Sequence, residues 1–167
     1  IRNMYHAADL AALSGPAFHA ELEAQLNALI AGERNALANA ANCAALIFDQ
    51  MPDLNWAGFY YLEPESGDLV VGPFQGKPAC ARIAPGKGVC GAAVVRGESL
   101  LVPDVHAFPG HIACDAASRS ELVVPLRRDG RIIGVLDLDS PTPNRFTAED
   151  QAGMERLMAV LMAAGQS

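Results

Sequence analysis

Apolar positions near the amino terminus recur at helical spacing. They run through Leu22, Leu26, Leu29 and Ile30 and resume after Gly32 through Leu37, Ala41, Leu46 and Ile47. Two helices are predicted, the second stopping at Pro52. From Leu54 the period shortens and the composition turns aromatic and β-branched, giving six strand candidates at 54–62, 69–74, 80–84, 100–105, 121–127 and 131–139. Between the third and fourth, a glycine-rich turn feeds a short helix from about Gly88 to Arg96. The stretch 106–120 has no period and reads as a long loop, a feature that in a compact domain tends to carry function. The last segment is a helix with Thr147 as its cap and Asp150 at the third position of a capping box. Its stripe of Met154, Leu157, Met158, Leu161 and Met162 is core packing. Helices, then strands, then a helix favour an α+β fold on one antiparallel sheet over the alternation of a doubly wound fold.

Composition narrows the class. With 51% hydrophobic and 19% charged residues among 167, the chain is globular and sized for one domain, 1–167. Twelve Lys plus Arg stand against nineteen Asp plus Glu, for a formal charge of −7 with no basic block, so neither nucleic acid nor an anionic membrane is an expected partner. No apolar run approaches a membrane span and no leader pattern opens the chain, so a cytoplasmic protein is expected. Ile1 to Asn3 read as a non-native remnant ahead of Met4, and residues 1–16 as an amino-terminal extension.

Four cysteines, none in a C-x-x-C pair, do not make a disulfide framework. Cys114 lies in the long loop between His111 and Asp115, where an imidazole or backbone N–H groups can tune a nucleophilic thiol. Cys90 opens the short helix, whose positive end favours thiolate, Cys80 opens a strand, and Cys43 is core. A zinc site drawn from His111, Cys114, Cys80 and Cys90 lacks paired spacing, and no metal is expected. On the last strand Asp137 and Asp139 share one face, Leu136 and Leu138 the other. A two-residue Asp129–Gly130 turn places Leu122 opposite Asp137, whereas a three-residue loop with Gly130 left-handed places Glu121 there and gathers three carboxyls on one face. Such a grouping raises at least one carboxyl pKa and makes a proton donor. On the first strand Trp56, Gly58 and Tyr60 share a face, and the glycine leaves a gap between two rings for a small apolar group.

Taken in order, the strings NWAGFYYL, GPFQGKPAC, GKGVCG, HIACDAAS, ELVVPL and GVLDLDS resemble the free methionine-(R)-sulfoxide reductase family, whose members have the GAF fold. The similarity runs from about Ala17 to the carboxyl terminus. It implies a GAF-like α+β domain with a central sheet of about six antiparallel strands and the terminal helices on one face. It also implies Cys114 as catalytic cysteine, Cys80 as its resolving partner and Cys90 as the third motif cysteine. Trp56 and Tyr60 fall on the pocket aromatics, and Glu121, Asp137 and Asp139 on the polar carboxylates. Backbone groups of the 111–117 loop, with Ala113 and Asp115, would bind the substrate. The implied reaction is reduction of free methionine sulfoxide through a sulfenic acid and a disulfide reopened by thioredoxin, without cofactor. Whether the chain forms a homodimer stays open, and the competing reading is a GAF module that binds a ligand or senses redox state without catalysis. The resemblance favours the three-residue loop, because it puts Glu121 and Asp139 in one site. Pro78 departs from the family pattern and would stiffen the strand bearing Cys80; Ser66 and Gly67 lengthen the turn before Leu69.

Overall fold

A computed structural model describes residues 10–112 and 114–165. Helices α1 (Gly15–Ile30) and α2 (Ala36–Gln50) precede strands β1 (Trp56–Leu62), β2 (Leu69–Gly76) and β3 (Arg82–Ile83). Helix α3 (Gly88–Arg96) then leads to β4 (Leu100–Val102), β5 (Ser120–Arg128), β6 (Arg131–Ser140) and helix α4 (Ala148–Ala164). The strands form one antiparallel sheet in the order β3-β2-β1-β6-β5-β4.

Alternation along each strand divides the core into two layers. One face of the sheet turns Ala57, Phe59, Leu122, Val124, Leu136 and Leu138 toward α1, α2 and α4, where Leu22, Leu26, Cys43, Ile47, Met154 and Leu157 complete the larger cluster. Leu10 is buried in the same layer, so the chain engages the core ahead of α1. The other face turns Trp56, Tyr60, Val123 and Val135 toward α3, which contributes Val89, Cys90 and Ala93. The functional side chains lie on this α3 face.

Caps fix the helix ends as their residue types require. Asn35 accepts from the Ala38 N–H at 3.0 Å, and Thr147 and Asp150 exchange both bonds of a capping box. Asp150 also accepts from His19 Nε2 at 2.8 Å, locking α1 to the start of α4. The ring of His19 lies where a Cβ on Gly153 would be, so the two helices approach closely at a glycine.

The β5–β6 hairpin departs from the three-residue loop. Arg128 pairs with Arg131, and Asp129 and Gly130 form a two-residue turn with φ of 51° and 75°, the conformation that fits the twist of a hairpin. A bulge then leaves Ile133 as an extra residue on β6, between the pairs Arg127–Ile132 and Leu126–Gly134. It restores the parity that the tight turn alone would have broken. Glu121 pairs with Asp139 and Val123 with Asp137, so the three carboxyls share a face after all. A second bulge, where the β1–β2 register shifts between Gly58 and Tyr60, falls opposite Gly72 and Pro73; Pro73 has no N–H to contribute to a ladder there.

Candidate active site

A cavity of about 550 Å³, its open mouth included, lies between the α3 face of the sheet, the first turn of α3 and the 111–118 loop. Its wall includes Trp56, Tyr60, Cys90, Cys114, Asp115, Glu121, Asp137 and Asp139, all of them singled out from the sequence. Cys80 is not part of the wall but is joined by a disulfide to Cys114, which is, with Cα atoms 5.6 Å apart. Ala113 lies outside the described residues.

The floor is acidic. Glu121 and Asp137 are 5% and 6% exposed, and Asp139, half-buried, also lines the cavity. Burial pushes the Glu121 carboxyl well above its ordinary range, and the charges of Asp137 and Asp139 push it further. Asp139 is raised in the same way, by burial first and Asp137 second. Burial also raises Asp137, but hydrogen bonds from Glu121, Cys90 and Asp139 oppose the rise. The arrangement is a carboxylate at Asp137 surrounded by groups that hold protons. Oδ1 of Asp137 is buried and has no hydrogen-bond partner among the described residues.

Two expectations change on this floor. Cys90 was expected to gain thiolate character from the helix end; instead burial, then the charges of Asp137 and Glu121, hold it as a thiol well above its ordinary pKa. His111, expected along with backbone N–H groups to tune Cys114, has its Nε2 3.9 Å from Glu121 Oε2, and burial together with His106 lowers its pKa while burial raises that of Glu121, so both shifts disfavour an ion pair. The gap expected beside Gly58 is filled: a Cβ there would collide with Phe74, which the β2 bulge turns onto the indole of Trp56, ring centroids 5.1 Å apart. Tyr60 also stacks on Trp56, at 5.7 Å. The aromatic wall is therefore preassembled, with the space beside Gly58 already taken.

Cys80 does not open a strand. It sits two residues before β3, in the 77–81 segment, where Pro78 lacks an N–H for a ladder. That segment is held by side chains from β1: Trp56 Nε1 donates to the Lys77 carbonyl at 3.2 Å and the Tyr60 hydroxyl to the Cys80 carbonyl at 2.9 Å. On the opposite bank Asn55 Nδ2 donates to Asp115 Oδ2 at 3.0 Å and Ser118 Oγ at 3.1 Å. Asp115 also accepts from the Ala117 N–H at 2.9 Å; this bond, with those of Asn55 and the charge of Lys77, holds its carboxyl below the usual range. Asp115 thus organises the Cys114 loop as well as lining the cavity. Asn55 and Ser118 escaped sequence reading, since a lone Asn before a strand and a lone Ser in a loop are ordinary turn residues. Cys43 lies in the helical core, where burial raises its thiol to about 12.

Among the described residues one group of three potential metal ligands is present, Cys90, Glu121 and Asp137, with ligand atoms within 4.8 Å of one another. All three are buried, and the protons held on Cys90 and Glu121 make them poor donors to an ion. No described helix is long and apolar enough to cross a membrane.

The profile of the GAF domain family matches residues 38–164. The free methionine-R-sulfoxide reductase of Escherichia coli strain K12 is 55% identical over 144 residues, 86% of each chain. Among solved structures, the free methionine-R-sulfoxide reductase of Neisseria meningitidis in complex with its substrate superimposes with a TM-score of 0.87 at 41% identity, covering 98% of this chain and 94% of that one. The reduced form of the Staphylococcus aureus enzyme gives 0.85 at 43% identity, covering 91% and 96%. A GAF sheet, a buried carboxyl floor, an aromatic wall and a disulfide through a wall residue thus coincide with this similarity, and the chain belongs to the free methionine-R-sulfoxide reductase family of GAF-domain proteins.

Proposed function

We propose that this protein reduces free methionine-(R)-sulfoxide to methionine. The observation that carries the reading is the Cys80–Cys114 disulfide, through Cys114 in the wall of a cavity floored by proton-holding carboxyls. In the reduced protein the Cys114 thiolate attacks the sulfoxide sulfur while a carboxylic acid protonates the oxygen, methionine leaves and Cys114 becomes a sulfenic acid. Glu121 and Asp139 serve as the acids, because both keep their protons well above the ordinary carboxylate range. The Asp137 carboxylate, with its unpartnered Oδ1, receives the substrate ammonium. The substrate carboxylate lies against backbone N–H groups of the 111–117 loop and of the first turn of α3, which has no side-chain cap. The S-methyl group meets Trp56 and Tyr60.

Cys80 resolves the sulfenic acid and an external dithiol reopens the disulfide, with thioredoxin as the cellular donor. The same fold in a ligand-sensing module would need none of these redox groups. Incubation of the purified protein with free methionine-(R)-sulfoxide and a dithiol, with methionine measured, tests the reading. Steady release is expected from the native chain and none from Cys114→Ser; thioredoxin-driven turnover in Cys114→Ser would overturn it.

A further inference from the structure

Strand β1 sends two side-chain donors to the same short segment. Trp56 Nε1 holds the Lys77 carbonyl and the Tyr60 hydroxyl holds the Cys80 carbonyl, at 3.2 and 2.9 Å. Between β2 and β3 the chain has no regular structure over 77–81, and its next tie is the bond from the Val71 N–H to the Ala81 carbonyl at 3.0 Å. Tyr60 therefore bonds to the main chain of the cysteine that must reach Cys114. Tyr60 is 2% exposed, and burial with the nearby carboxylates pushes its phenol well above the ordinary tyrosine range, so it remains a donor at every working pH. A hydroxyl committed to a backbone carbonyl is less available to a substrate than the ring it extends from.

We infer that Tyr60 is a positioning residue for the resolving step: its hydroxyl fixes the main chain of Cys80 so that the Cys80 sulfur meets Cys114. This rests on the proposed reductase cycle for its purpose, though not for its test. In that step the Cys80 thiolate attacks the Cys114 sulfenic sulfur, the S–O bond breaks as the S–S bond forms, and the oxygen leaves as water after taking up protons, one of them from the Cys80 thiol. Cys114 is reduced and Cys80 oxidised, with no further oxidant. Closure depends on the effective concentration of one sulfur at the other, and an anchored segment raises it.

The test uses Tyr60→Phe, which keeps the ring and its stacking and removes the hydroxyl. The full chain is equilibrated in glutathione redox buffers without any sulfoxide, and the Cys80–Cys114 disulfide is quantified by thiol labelling. The equilibrium is expected to move toward the dithiol by roughly threefold to tenfold, the span of one net hydrogen bond. With methionine sulfoxide added, disulfide closure after the first methionine is released is expected to slow by more than the release itself. Tyr61→Phe, on the helical face of the same strand, is the control for any general loosening of β1. An unmoved glutathione equilibrium in Tyr60→Phe, an equal shift in Tyr61→Phe, or release slowed as much as closure would each overturn the assignment. Because the glutathione measurement needs no substrate, failure of the reductase reading alone would leave it standing.

Discussion

At the residue scale the site rests on unequal protonation of similar groups. Three buried carboxyls cannot all ionise side by side, so the charge settles on Asp137, where hydrogen bonds from Glu121, Asp139 and Cys90 converge. This has a cost in stability with a definite sign. Carboxyls raised in the folded state bind more protons than in the unfolded chain, so stability is lost as pH climbs from the ordinary carboxylate range toward the raised folded values. Glu121→Gln is therefore expected to flatten the pH dependence and to stabilise the oxidised protein at pH 8 relative to the native chain. Its catalytic rate is expected to fall at least about tenfold, as for a lost proton donor. Urea midpoints between pH 5 and 8, with methionine release on the same preparations, check both; an unchanged midpoint at pH 8 would remove Glu121 from the buried-acid account. The two disulfide cysteines also separate. Cys80→Ser is expected to release one equivalent of methionine in a single turnover and to fail in thioredoxin-driven cycling, as quenched-flow against steady-state assays would reveal.

Elements position these residues through two irregularities and one strand. In β6 the extra residue Ile133 cancels the parity of the tight Asp129–Gly130 turn and delivers Asp137 and Asp139 to the face of Glu121. Deleting Ile133 removes the bulge and leaves Leu126 opposite Gly134, so the carboxyl grouping should survive with a loss of about 1–3 kcal/mol from a partly buried side chain. Deleting Val135 as well leaves no bulge to absorb the loss, changes the parity of everything after it and turns both aspartates toward the helical core. Activity assays and thermal melts on the two deletions distinguish these outcomes: retained turnover in the first and loss of folded protein in the second. Strand β1 acts as a frame, with Asn55 on the Cys114 loop and Trp56 and Tyr60 on the Cys80 segment. Asn55→Ala leaves the Asp115 carboxylate without its side-chain donor. A more mobile Cys114 loop should lower turnover several-fold and speed hydrogen exchange in 114–118; unaltered exchange there would confine Asn55 to local capping.

For the whole molecule, selectivity follows from the enclosed site. Cavity walls come from the sheet, from α3 and from the 111–118 loop, and the floor offers one carboxylate with an unpaired oxygen. On the proposed reading the ammonium of a free amino acid pairs with that carboxylate, whereas a residue inside a peptide has none to offer and adds chain on both sides. Methionine sulfoxide within a peptide is expected to be reduced at least about 100-fold more slowly than the free amino acid, measured as kcat/KM for each. Equal rates would mean that the polar floor does not recognise the charged ends of the substrate.

The periodicity alone determined the elements. Helical and two-residue spacings placed four helices and six strands close to where they lie, because burial of one face imposes its period on the chain whatever the neighbouring elements do. Capping of α4 was also local, with Thr147 and Asp150 three residues apart. Sequence strings that resemble a known family further pointed to the cysteines, aromatics and carboxyls that meet around the cavity. Only the tertiary structure decided what lies between distant segments. The Ile133 bulge is a property of two paired strands, and no single strand's pattern distinguishes it from a longer turn. The filling of the Gly58 gap by Phe74 depends on the β1–β2 register. Cys90 went against the expectation from its local neighbours, because burial and the carboxyls gathered by folding outweigh a helix end. The roles of Asn55 and Tyr60 as anchors rest on hydrogen bonds spanning 60 and 20 residues of sequence, distances over which only a folded chain brings donor and acceptor together.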